Sequence, residues 1–137
     1  MINQNAMLYA DEAIIPVSTD FLGLDALKKM LEAINNFNYH FEHNLKVTRI
    51  VPTLYDARIK SCRETLQHLQ NDHYELLTEP VRTNSKIKEA PSKMKSIFTY
   101  APSSRGAKDY ESVVLLVLGD EATIRNNSFE NYAVSHA

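Results

Sequence analysis

The sequence predicts an α/β fold in which helices flank a parallel β-sheet. Short β-branched runs alternate with stretches of helical periodicity, in the order strand, helix, strand, helix, strand, helix. That alternation is the pattern of parallel strands joined by right-handed crossovers. The chain has 137 residues, 44% hydrophobic and 23% charged. This suits one packed domain and excludes a disordered chain, because enough apolar surface is present to offset the entropy of ordering.

The first strand is Ala13-Ile14-Ile15-Pro16-Val17, whose unbroken apolar character predicts cover on both faces. Ser18, Thr19 and Asp20 then supply helix-capping chemistry. Leu24, Leu27, Leu31, Ile34 and Phe37 recur at helical spacing, so a long helix is expected from Phe21 to about Phe41. Lys46 to Tyr55 reads as the second strand, with Pro52 tolerable only near its end or on an edge. Ile59, Cys62, Leu66 and Leu69 form the stripe of a second helix. A third short strand is expected over Glu75 to Thr83, in spite of Pro80. The stretch 85–106 reads as irregular, punctuated by Pro91, Pro102 and Gly106. Tyr110, Val113, Val114, Val117 and Leu118 mark a closing helix. The main α/β region is therefore 1–118, and 119–137 is expected to be a loose polar tail. Three strands make a thin sheet with open edges, which predicts self-association or cover by another chain.

The net charge of −2 is unevenly distributed. Residues 1–81 carry seven Lys/Arg against eleven Asp/Glu, and residues 109–137 carry one against five. Between them, Arg82, Lys86, Lys88, Lys93, Lys95, Arg105 and Lys108 face a single acid, Glu89. A basic segment between acidic flanks is a candidate surface for an anionic partner; its plainer reading is a solvated loop.

Several chemistries are excluded or disfavoured. The glycines, Gly23, Gly106 and Gly119, are far apart, and no GxxxxGK[ST] string occurs, so no backbone phosphate cradle is encoded here. His40 and His43 lie three apart near an expected helix end, without a third ligand at metal-site spacing. No metal is expected. Cys62 is alone, which excludes an internal disulfide, and it lies on an apolar stripe as a small core residue. Asp11-Glu12 and Asp120-Glu121 are sequence neighbours that diverge in space and make poor acid/base pairs. No run reaches the ~20 apolar residues of a membrane span, and the N-terminus has no signal-peptide charge pattern, so a cytoplasmic setting is expected.

Five short strings occur in a fixed order: Asn5-Ala6 followed by ADEAIIPV at 10–17; Leu24-Asp25-Ala26-Leu27; Tyr55-Asp56-Ala57-Arg58; RTNSKIKEAPS at 82–92; and Ser104-Arg105-Gly106-Ala107 with Tyr110. Together they resemble the C-terminal half of ParA/Soj-type chromosome and plasmid partition ATPases, members of the MinD/ParA-like P-loop NTPases. The resemblance implies an incomplete half of that fold. The family's Walker A lysines, switch aspartate and Walker B aspartate, which hold phosphates and Mg²⁺, would all precede Met1. Catalysis is therefore not expected of this chain alone, nor a bound cofactor, although ATP and Mg²⁺ serve full-length members. The resemblance also implies positions for other roles. Thr53, Arg82, Thr83 and Asn84 correspond to contacts with the nucleotide base, although the family usually has Pro near Arg82. Arg58 and Lys86 correspond to basic residues that bind DNA without sequence specificity.

The implied partners are DNA, held weakly by a single copy, a ParB-type protein or full-length ParA relative, and further copies of the chain. Association with the nucleoid follows if DNA binding is retained. A second reading from a different class is a protein–protein oligomerisation module derived from such an ATPase. No membrane role is implied: the 119–137 tail has one Arg and few large apolar residues, unlike the membrane-binding helix of the MinD branch.

Overall fold

A computed structural model describes residues 2–119 of the chain. The elements run α1 (Ile2–Tyr9), β1 (Glu12–Ser18), α2 (Phe21–Phe41), β2 (Lys46–Thr53), α3 (Lys60–His73), α4 (Ser85–Glu89), a 3₁₀ turn (Ala90–Lys93) and α5 (Ile97–Tyr100). A last helix, α6, occupies 105–119. The expected loose tail lies outside the described residues, apart from Gly119 at the end of α6.

The architecture is α/β. β1 and β2 pair in parallel, from Glu12 opposite Lys46 to Ser18 opposite Thr53, with an irregularity between Ala13 and Ile14. The helix from Phe21 to Phe41 forms as expected. Its N-cap is Asp20, whose carboxylate accepts from the Gly23 N–H at 2.7 Å. It ends at Glu42, which takes the left-handed conformation at φ 50°. The face of α2 carrying Leu27 and Ile34 joins Ile15, Val17, Leu45, Ile50 and Leu69 in one buried cluster.

Four expectations need correction. The third strand is reduced to two isolated parallel bridges, Ile50 to Leu77 and Tyr55 to Arg82. The Leu76 and Ile50 carbonyls still accept from Ile50 N and Thr78 N, and the Pro52 carbonyl accepts from Val81 N at 2.8 Å. Pro52 and Pro80 lack N–H groups, so no continuous ladder forms between the bridges.

Secondly, β1 is not covered on both faces: Ile15 and Val17 are buried, whereas Ile14 is 45% exposed and Pro16 is exposed. α2 covers only the face that carries Ile15 and Val17. Thirdly, Ile59 sits outside α3 and is exposed. The buried stripe is instead Cys62, Thr65 and Leu69, still at helical spacing. Finally, 85–106 is not wholly irregular, since α4, the 3₁₀ turn and α5 fall inside it.

Candidate nucleotide and nucleic-acid site

Parallel strands end together, so the loops after β1, β2 and the bridged segment meet at one edge of the sheet. In open α/β sheets this carboxyl edge is where ligands bind. Thr53 closes β2 there. Its hydroxyl donates to the Val17 carbonyl at 3.2 Å, and its own carbonyl accepts from the Thr19 N–H and hydroxyl, both at 3.1 Å. Leu54 follows at φ 55°, a left-handed conformation that a bulky side chain adopts only under local constraint. The Tyr55 N–H then donates to the Val81 carbonyl at 3.2 Å, and the Tyr55 carbonyl accepts from Thr83 N at 2.9 Å. These bonds clamp the loop carrying Arg58 against the segment carrying Arg82, Thr83 and Asn84.

The four residues expected to contact a nucleotide base do come together. Thr53, Arg82, Thr83 and Asn84 line one cleft with Leu54, Val81 and Tyr110. Its volume is about 50 Å³, well under the roughly 300–1,000 Å³ of a small-molecule site. The side chains of Thr53, Arg82 and Asn84 are also committed elsewhere. Asn84 caps α4 by accepting from Lys86 N at 2.8 Å, and the Arg82 guanidinium lies on Asp109, with Nη2 to Oδ1 at 2.6 Å and Nε to Oδ2 at 3.0 Å.

Arg58 and Lys86, the two residues expected to bind DNA, are each paired with a carboxylate. Arg58 donates from Nη2 to Asp56 Oδ2 at 2.7 Å and from Nε to Asp56 Oδ1 at 3.0 Å, and its side chain remains 90% exposed. These hydrogen bonds hold the Asp56 carboxyl down to about 2. Lys86, on α4, donates to Glu89 Oε2 at 2.8 Å, and the Tyr100 hydroxyl donates to the same oxygen at 2.8 Å. The Lys86 ammonium also lies 5.8 Å from the Tyr100 ring centre. The Lys86 hydrogen bond, followed by that of Tyr100, lowers the Glu89 carboxyl below its ordinary value.

The expected basic segment is thus partly neutralised where it meets the sheet. Of its seven cations, Arg82 and Lys86 are paired. Lys88, Lys93, Lys95, Arg105 and Lys108 are exposed and make no ion pair among the described residues. Sequence reasoning missed Asp109, which binds Arg82 across 27 positions, and placed Arg105 only within the basic segment. His40 and His43 do not converge on a ligand site: His40 Nδ1 meets the Asn36 carbonyl at 2.7 Å, and His43 Nε2 meets the Ala10 carbonyl at 3.0 Å.

No model of a protein family matches the chain. Over 115 residues it is 31% identical to the cell division protein PomZ of Myxococcus xanthus, covering 83% of this chain and 36% of PomZ. Over 114 residues it is 28% identical to the sporulation initiation inhibitor protein Soj of Bacillus subtilis, covering 80% of this chain and 44% of Soj. The chain is a homologue of the ParA/Soj partition ATPases. The fold agrees: apo McdA from Cyanthece superposes with a TM-score of 0.68 at 14% identity, covering 81% of this chain and 46% of that structure. This ParA-like chain spans less than half the length of those relatives. None of its helices, among the described residues, is long and apolar enough to cross a membrane.

Proposed function

We propose that this ParA-like chain supplies the DNA-facing surface of a partition protein and does not hydrolyse ATP by itself. The observation that carries this reading is the clamp between Tyr55 and the 81–83 segment, which sets Arg58 and the basic 82–108 stretch on neighbouring loops at one edge of the sheet. Phosphate neutralisation and counterion release give such a surface salt-sensitive affinity without sequence preference. Affinity for DNA by one copy is weak, because Arg58 and Lys86 must leave Asp56 and Glu89 to engage phosphates. It rises when copies are brought together.

ATP and Mg²⁺, the cofactors of the family, do not fit the described residues as a whole. Thr53, Arg82, Thr83 and Asn84 offer a base-side cleft, but no glycine-rich phosphate cradle accompanies them and, among the described residues, no cluster of three acidic, histidine or cysteine side chains suits a metal ion. A ParB-type protein or a full-length ParA relative is the partner this reading implies, with nucleoid association as the setting.

The test is filter retention of labelled mixed-sequence duplex at low salt. Weak retention that disappears in the Arg58→Ala/Lys86→Ala double variant is expected. Tight retention that the double variant leaves unchanged would overturn the assignment.

A second reading, an oligomerisation module, draws support from apolar surface around β1. Ile14, on the face that α2 leaves open, is 45% exposed. Along the margin between β1 and α2, Pro16, Val17, Ala26, Leu27 and Met30 line an apolar cleft of about 190 Å³. Light scattering that gives a dimer mass supports this reading, and a stable monomer mass counts against it.

A further inference from the structure

Beside the nucleotide-base cleft lies a separate cavity of about 400 Å³, lined by Tyr55, Asp56, Arg58, Arg82, Thr83 and Arg105. Three guanidinium groups around one cavity are a costly arrangement unless anions balance them. Two anions are built in. Asp56 takes Arg58 in a fork, and Asp109 takes Arg82 in another, each using both carboxylate oxygens. Three cations against these two carboxylates leave one net positive charge; Arg105 is the guanidinium without a forked carboxylate partner, although its charge also acts on Asp109. Arg105 opens α6, is exposed, and makes no ion pair among the described residues.

The geometry points to this arginine cavity as a seat for one phosphodiester of the DNA backbone, with Arg105 as its primary contact. This inference rests on the DNA-binding function proposed for the chain. A guanidinium presents a planar fork that matches two phosphate oxygens, and it holds an anion with more geometric specificity than an ammonium does. Thr83, whose side chain carries a hydroxyl donor, also lines the cavity. Arg58 lies on the same wall with its side chain 90% exposed, so it can swing from Asp56 to a neighbouring phosphate. Arg82 stays with Asp109, whose side chain is only 10% exposed, and serves as a fixed background charge. DNA thus meets Arg105 first, and Arg58 joins at the cost of its own ion pair.

The experiment is a salt titration of binding to a labelled mixed-sequence duplex, using the unaltered chain, Arg105→Gln and Arg105→Lys, each first shown to melt cooperatively. Loss of one phosphate contact should make the slope of log K against log salt shallower by about 1 in Arg105→Gln. The Arg105→Lys variant should keep the slope while binding more weakly. An Arg105→Gln slope equal to that of the unaltered chain would overturn the inference and leave the DNA-binding reading standing. Failure of the unaltered chain to bind DNA at low salt would overturn both. Should Arg105→Gln fail to fold, Arg105→Lys decides: unchanged affinity overturns the fork contact, and weakened affinity at constant slope supports it.

Discussion

Arg82 and Asp109 are joined by three hydrogen bonds to a single carboxylate, from the Arg82 backbone N–H at 3.0 Å, Nε at 3.0 Å and Nη2 at 2.6 Å. The pair ties the end of the bridged segment to α6 and so fixes the wall shared by the cleft beside Thr53 and the arginine cavity. Burial pushes the Asp109 carboxyl up, but the Arg82 hydrogen bonds and charge outweigh it and hold the group below its ordinary value. With Arg82 44% exposed, solvent screens part of the gain. The Asp109→Ala change is expected to cost about 1–2 kcal/mol, because charge-assisted hydrogen bonds contribute more than neutral ones but are discounted at a half-open site. Urea unfolding of the variant against the parent checks this, and an unchanged midpoint would refute it.

Stability should fall in acid. Asp56 titrates at about 2 in the folded chain against an ordinary 3.8, and Asp109 and Glu89 are lowered as well. A carboxyl lowered by folding adds stability that is complete above its unfolded pKa and lost as pH drops through its folded one. For Asp56 that window runs from about pH 4 down to about pH 2. Urea midpoints measured through this range should decline, and less steeply in the Asp56→Asn/Asp109→Asn double variant. Parallel curves for the two proteins would show that these pairs do not matter.

Removing the carboxylates that hold the two expected DNA contacts should strengthen binding. In Asp56→Asn/Glu89→Gln, Arg58 and Lys86 no longer leave an ion pair to meet phosphate. Affinity for duplex DNA should rise at least several-fold at low salt, with a slope against log salt that is no shallower than in the parent. Fluorescence anisotropy reads both quantities. Equal or weaker affinity would place the DNA contacts elsewhere.

Gly23 sits in the first turn of α2 against the end of β1. A Cβ there would lie 2.0 Å from the Ser18 carbonyl oxygen and 2.9 Å from the Ser18 carbonyl carbon. Backbone cannot yield as a side-chain tip can, so the overlap outweighs the ~1 kcal/mol that alanine gains over glycine inside a helix. The Gly23→Ala variant should be destabilised by about 1–3 kcal/mol. A higher thermal midpoint for the variant would contradict the packing described.

The parts of this fold that were legible from sequence are those with long local periods. α2 repeats its apolar stripe from Leu24 to Phe37 behind an Asp20 cap, and both ends were readable. α1 has no comparable stripe. α4 and α5 have five and four residues, too few to display a period. The bridged third strand failed for a reason visible in the sequence, Pro80, but the matching loss at Pro52 is understood only once the two segments lie side by side. Around the candidate site, Arg58 and Lys86 were singled out through the strings that carry them. Their partners divide differently: Asp56 and Glu89 lie two and three residues away, whereas Asp109 meets Arg82 across 27 positions with no local pattern to announce it.

The most direct test of the DNA-facing surface is amide chemical-shift mapping of the chain as duplex DNA is added at low salt. If the carboxyl edge of the sheet faces DNA, the largest changes fall on residues 55–58, 82–89 and 104–106, and they collapse when salt is raised. Changes centred instead on the groove between α2 and α3, where Asp25, Glu32, Glu64 and Asp72 stand, or the absence of any change, would contradict it.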